Sequence, residues 1–266
     1  MLIRAEMEII IAAIFFLLGI SVGSFLNVVA DRVPAGKSLL RPPSHCFSCG
    51  HALEPRDLFP IISYLLLKGK CRYCGHPIPA RSMLVELASG LLFVLALTVF
   101  GLTWQATITI VFGCFFIVLF VTDLEQGLLP HIIVYPGIAI ALVFAAISPL
   151  TGTSPGLLSA LAGLGICFGA FLLIWAVPKF FKKDIMGPGD VGTAGLVGAS
   201  LGYPVALVAM YIAVLAGGLT AAMLVVFKVR KLNEPIQFGM FLAFGGMLAL
   251  FCGQEIADTL QLFFGW

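Results

Sequence analysis

The feature that most constrains this chain is a series of apolar runs, each close to twenty residues long. A helix needs roughly 20 mostly apolar residues to cross a bilayer core of about 30 Å. Eight candidates lie at residues 8–30, 83–101, 104–122, 131–149, 157–178, 189–202, 203–227 and 236–262. Of the 266 residues, 61% are hydrophobic and 11% charged. Soluble domains carry about 25% charged residues, so a chain this apolar needs lipid to cover it. The expected fold is an all-α polytopic membrane protein of about eight transmembrane helices. The first run is too long for the ~7–15-residue core of a signal peptide and lacks a small-x-small cleavage pattern, so it reads as a retained span. The sixth is short and rich in glycine (Gly192, Gly195, Gly198, Gly202) and suits close helix packing. The last could end early, because Gln254, Glu255 and Asp258 resemble an interface.

A net charge of +2 gives no reason to expect a nucleic-acid partner. The placement of the cations says more. Of the fifteen lysines and arginines, only Arg4 lies outside three segments. Arg32, Lys37, Arg41, Arg56, Lys68, Lys70, Arg72 and Arg81 fall in residues 31–82. Lys179, Lys182 and Lys183 follow the fifth run, and Lys228, Arg230 and Lys231 the seventh. With eight spans, all three segments share one side. Positive loops mark the cytoplasm, so both termini are expected to face outward.

Residues 31–82 form the only loop large enough to be a small domain. It carries Cys46 and Cys49, then Cys71 and Cys74, each pair followed by Gly-His (Gly50-His51 and Gly75-His76). Two C-x-x-C knuckles suit a closed tetrahedral zinc site. A unit of this size needs such a staple. Free or transiently oxidised thiols are the plain alternative. His45, His51 and His76 read as neighbours rather than ligands. Cys114, Cys167 and Cys252 lie in apolar runs and read as small apolar residues.

Acids at membrane depth are costly and often functional. Asp123, Glu125, Asp190 and Glu86 all sit near expected cytoplasmic span ends. Asp123 alone could be an interfacial acid, and Asp190 alone a helix N-cap. Together they end span three and begin span six, on one face. Two carboxylates that meet share a proton, which is the state an aspartic peptidase needs. The helix ends assign the base to Asp190, at an N-terminus, and the initial proton to Asp123, at a C-terminus. Glu125 is the reserve candidate.

In order along the chain, Gly23-Ser24-Phe25-Leu26-Asn27-Val28-Val29, the segment Arg41–Glu86 with its four cysteines, Asp123 through Pro130, Gly187-Pro188-Gly189-Asp190, and Phe238-Gly239 with Gly245-Gly246 resemble the bacterial prepilin peptidases (type IV leader peptidases). The GxGD motif alone is shared with presenilin-like peptidases; the ordered set is specific. The resemblance implies cleavage of type IV prepilins and type II secretion pseudopilins. These carry a basic leader followed by a hydrophobic helix, and the cut falls at the cytoplasmic face of the bacterial inner membrane. It also implies N-methylation of the new terminus from S-adenosylmethionine. Gly69, Lys70 and Glu86 are the candidates for that cofactor or for docking the leader, with turn and interface chemistry the plain alternative. The implied organisation is a first helix at 1–30, a tetracysteine zinc domain at 31–82 and a membrane peptidase domain at 83–266. The chain departs from the family pattern at His131 (usually Asp), Gly192 (usually Lys) and Met240 (usually Pro). A different membrane protease, a transporter using the two aspartates for an ion, and a zinc-bearing scaffold are the competing readings.

Overall fold

The computed structural model describes residues 2–180, 186–227 and 237–264. They are helical, with no strand among them. The long helices are α1 (Leu2–Arg32), α3 (Ala80–Phe100), α4 (Trp104–Gln126), α5 (His131–Thr151), α6 (Leu157–Phe180), α8 (Val205–Val226) and α9 (Gly239–Phe264). A five-residue helix, α2 (Ile62–Leu66), lies between α1 and α3, and α7 (Pro188–Leu201) lies between α6 and α8. Seven of these helices are long and apolar enough to cross a membrane.

The sixth expected span, the short one, forms as α7, and its 14 residues reach only about 21 Å, short of a ~30 Å hydrocarbon core. Gly187 and Pro188 start it and Gly202, at φ +69°, ends it. The last helix does not stop at Gln254. It runs on to Phe264, with the Gln254 amide donating to Asp258 at 2.8 Å along its exposed face. Of the cations used to orient the chain, Lys182, Lys183, Lys228, Arg230 and Lys231 lie outside the described residues.

The chain divides into two compact units, residues 1–106 and 107–266. In the first, α1 packs along α3 through small residues. A Cβ at Gly23 would stand 2.7 Å from the Glu86 Cα, and one at Gly19 would stand 2.8 Å from the Gly90 Cα. Only glycine permits that approach. The pair is fastened near its loop end by Arg81 Nη2 to Asp31 at 2.7 Å and by the Asn27 amide donating to the Ser82 carbonyl at 2.9 Å.

The connecting segment is tied to the same pair. Ile61 has φ +60° and ψ −51°, the centre of a strained γ-turn, closed by the Ile62 N–H donating to the Pro60 carbonyl. A β-branched residue avoids this region. The turn is held by Glu86, whose buried carboxylate accepts the Ile61 N–H at 2.7 Å and also hydrogen-bonds the Ser24 side chain.

In the second unit α7 is the centre. Every residue from Asp190 to Leu201 is buried, against α5, α6, α8 and α9. A Cβ at Gly198 would lie 2.6 Å from the Gly163 carbonyl carbon and 2.9 Å from the Leu164 nitrogen, so α6 and α7 touch backbone to backbone. Gly246 on α9 likewise admits the Phe116 ring of α4, 2.9 Å from where a Cβ would stand.

Removing the Glu86 carboxylate leaves a buried main-chain donor unpartnered and the γ-turn unsupported. Glu86→Ala is expected to destabilise the first unit by about 1–3 kcal/mol, read as earlier proteolysis within residues 55–70, whereas Glu86→Gln, which keeps an acceptor oxygen, is expected to retain most of the protection.

Candidate active site and metal centre

Four helix ends in the second unit gather around two acids. Asp123 lies in the last turn of α4, inside the helix rather than after it. It is only 3% exposed. Its Oδ2 accepts the Met240 N–H at 2.6 Å, from the first turn of α9. Asp190 lies in the first turn of α7 and is 8% exposed. Asp190 lies within electrostatic range of Asp123. The structure therefore brings together the two acids that the sequence puts 67 positions apart.

The turn from α4 to α5 sets this geometry. Gly127, at φ +62°, ends α4, and Leu128, Leu129 and Pro130 lead into α5. Leu129 is buried. A Cβ at Gly189 would stand 2.8 Å from the Leu129 Cβ. A Cβ at Gly239 would stand 2.9 Å from Leu129 Cδ2 and 3.0 Å from Asp123 Oδ2. One leucine thus packs against the starts of both α7 and α9. The sequence marks Gly239 as part of a motif but gives no role to Leu129 or to the Met240 N–H. A glycine opening an apolar run was the available signal for close approach.

The Gly-Pro-Gly triplet divides its roles. Gly187 is the N-cap of α7 in extended conformation, φ −78°, and a Cβ there would meet nothing nearer than Asp190 Oδ2 at 3.7 Å. Pro188 occupies the first helical position, where its missing N–H costs nothing. Gly189 is the residue sterically required. Asp190 Oδ1 is buried without a hydrogen-bond partner among the described residues. Buried polar atoms are usually satisfied, so this oxygen marks a place for a water or a substrate atom.

The three departures from the family pattern have local explanations. His131 opens α5 and stacks on Tyr135 at 5.3 Å. Gly192 faces α5, where a Cβ would already approach Val134 Cγ1 at 3.1 Å, so a lysine there would need this packing to open. Met240 supplies an N–H that proline lacks.

The metal centre belongs to the first unit. The two knuckles repeat the same bonds. Cys46 N–H donates to the His51 carbonyl and Gly50 N–H to the Cys46 carbonyl; Cys71 N–H donates to the His76 carbonyl and Gly75 N–H to the Cys71 carbonyl, all at 2.8–2.9 Å. Gly50 and Gly75 make the turn back at φ +71° and +70°, which glycine adopts freely. The Sγ atoms of Cys46, Cys49, Cys71 and Cys74 all lie within 4.8 Å of one another, and Cys46 and Cys74 are 3.8 Å apart. Four thiolates at about 2.3 Å from a tetrahedral ion stand ~3.8 Å apart, so the donor set fits. Main-chain N–H groups of Cys49 and Ser48 lower the pKa of the Cys46 thiol, while that of Cys74 in the same cluster is raised. Among the described residues, the cluster is made of the four cysteines alone. His51 instead packs on Tyr73, ring centroids 3.6 Å apart, and Asp57 ties the second knuckle through Arg72 at 2.6 Å and Tyr73 at 2.9 Å.

Gly69 and Lys70 sit where the chain enters the second knuckle. Gly69 has φ +67°, and a Cβ there would meet the Tyr64 hydroxyl at 2.9 Å. Lys70 is exposed and bridges to Pro77. Glu86, on α3, accepts the Ile61 N–H. The three have separate partners.

Because Gly189 meets Leu129 backbone-close and Gly187 meets little, Gly189→Ala is expected to cost about 1–3 kcal/mol through overpacking. Gly187→Ala is expected to stay within about 0.5 kcal/mol. Thermal melting of the purified variants in detergent checks the contrast.

Comparison with known proteins agrees along the chain. Residues 17–100 match the family model described as the bacterial peptidase A24 N-terminal domain, and residues 110–222 match the type IV leader peptidase family. A Pseudomonas aeruginosa protein named prepilin leader peptidase/N-methyltransferase is 32% identical, over 94% of this chain and 93% of its own length. A Bacillus subtilis protein of the same name is 32% identical over 92% and 95%, and one from Myxococcus xanthus is 39% identical over 71% and 56%. No solved structure matches. With two successive family models matched and relatives similar over nearly their whole length, this chain is an integral membrane protein that belongs to the type IV leader peptidase family.

Proposed function

We propose that this chain cleaves the leader from prepilins and type II secretion pseudopilins and methylates the new N-terminus, with Asp123 and Asp190 as the hydrolytic pair. The relatives' shared name supports the two activities. The observation that carries the site is the convergence of both acids at the ends of α4 and α7, with Asp190 Oδ1 buried and unpartnered among the described residues.

Two facing carboxylates hold one proton between them. In the proposed reaction Asp190 Oδ1 takes a proton from water as the water oxygen adds to the scissile carbonyl carbon. Asp123, its Oδ2 fixed by Met240, gives its proton to the carbonyl oxygen. Collapse of the tetrahedral intermediate breaks the C–N bond, and the proton held by Asp190 goes to the leaving amine. The hydroxyl proton returns to Asp123, so the pair ends as it began. Buried helix ends keep bulk water away from both groups. The substrates we propose carry a basic leader before a hydrophobic helix, and the cut is at the cytoplasmic face of the inner membrane, the side we assign to the basic loop of residues 31–82 and its eight lysines and arginines.

The ion we assign to Cys46, Cys49, Cys71 and Cys74 is zinc, in a closed structural role. The methyl donor we propose is S-adenosylmethionine. Gly69, Lys70 and Glu86 are the residues we propose for that donor or for docking the leader, and no step is assigned to them.

Asp123→Asn and Asp190→Asn are each expected to lower cleavage of a prepilin in liposomes by at least ~10²-fold while keeping bound zinc. Near-normal turnover of either variant would sink the pairing and turn attention to Glu125. Replacing all four cysteines by serine is expected to abolish bound zinc, measured by elemental analysis, and to expose residues 31–82 to protease. An unchanged digestion pattern would show that the ion does not hold the loop.

A further inference from the structure

Two of the contacts described for the first unit fix a depth as well as a fold. The Arg81–Asp31 ion pair marks the loop end of α1 and α3. Glu86 lies five residues further along α3, about 7.5 Å deeper along the helix axis. Because the Ile61 N–H is bonded to Glu86 at 2.7 Å, the connecting segment does not stay above the ion pair. It dips beside a helix whose 21 residues are only just long enough, at about 31 Å, to cross the hydrocarbon core.

The segment that dips is the one that exposes apolar side chains. Phe59 is 61% exposed and Leu66 78%, and Ile62 and Leu65 are exposed with them. In water such a patch would be a liability. At this depth it faces acyl chains. Ser63, on the inward side of α2, is buried and donates to the Arg56 carbonyl at 3.1 Å, so α2 has one face on the protein and one outward. Immediately after α2 come Lys68 and Lys70, both exposed. Their charges complement anionic headgroups. An apolar face at the acyl boundary with cations just beyond it is the pattern of an interfacial membrane anchor.

We propose that Phe59 and the outward face of α2 insert into the bilayer interface, so that lipid, contacted directly by Phe59, Ile62, Leu65 and Leu66, anchors the tetracysteine loop to the membrane beside α3. The strained turn at Ile61 and its bond to Glu86 are the fixture that holds this face at the right level. The inference is independent of the hydrolytic assignment and stands or falls without it.

Single tryptophans test it. In a background with Trp104→Phe, Trp175→Phe and Trp266→Phe, Leu66→Trp is reconstituted in phosphatidylcholine–phosphatidylglycerol vesicles, with and without chain-brominated phosphatidylcholine. Leu95→Trp, on the exposed face of α3, is the membrane control, and bound zinc confirms an intact fold. Brominated lipid is expected to quench Leu66→Trp at least about twofold, comparable to Leu95→Trp, with little quenching by aqueous iodide. Quenching by iodide and not by brominated lipid overturns the proposal. Shielding from both quenchers also overturns it, since protein then covers the face, as does lipid quenching that appears only when a prepilin segment is added. If Leu66→Trp does not retain zinc, Phe59→Trp reads the same surface with the same outcomes.

Discussion

The second unit depends on one constraint, a helix buried on all its sides. α7 has no face to give to lipid or water, so neighbouring helices must reach it from every direction. Close approach requires small residues. Gly198 against Gly163 sets the distance between α7 and α6, and Gly189 against Leu129 sets the start of α7. Once these are fixed, Asp190 has little freedom, because it lies in the first turn of a helix that cannot shift. Asp123 is fixed from another direction, by a main-chain donor at the start of α9. The hydrolytic role we propose for the two carboxyls needs positions held to a fraction of an ångström, and helix ends locked by backbone contact supply that better than a loop could.

The first unit solves a different problem. Some fifty residues between two spans cannot bury enough apolar surface to order themselves. The four thiols bring the two knuckles together, the His51–Tyr73 stack connects them, and Asp57 holds the second through Arg72 and Tyr73. What remains is to attach this module to the helices. Glu86 does that with a carboxylate placed inside an apolar helix, a costly position for an acid that is offset by bonds to Ile61 and Ser24.

Both units break local rules where something has to be held. Ile61 adopts a backbone conformation its β-branched side chain disfavours, and Asp190 leaves a buried oxygen without a partner among the described residues. Such exceptions concentrate where a structure is tuned for a task rather than for stability. Asn27 also leaves Oδ1 buried and unpartnered at the α1–α3 contact. Its amide already bridges to Ser82, so part of that side chain's potential is used and part is not.

Much of this was legible along the chain. Runs of apolar residues near twenty long specify membrane helices because lipid offers the backbone no hydrogen-bond partners, and that physics needs only local sequence. Two C-x-x-C-G-H repeats specify knuckles for the same reason: the turn and its bonds are made within six residues. Asp123 and Asp190 could be singled out as acids at apolar helix ends. What the sequence could not supply was distance between segments. It marked the glycine-rich sixth run as a short span, and only packing shows a helix buried on every side. It offered Glu86 as a candidate for cofactor or leader, and only the fold reveals that its carboxylate holds Ile61. Leu129 looked like any other leucine until three helix ends closed around it. Hydrophobic length and knuckle spacing are properties of neighbours in the chain, whereas burial of α7, the Met240 bond and the depth of α2 depend on contacts between residues far apart in it, which the tertiary structure alone decides.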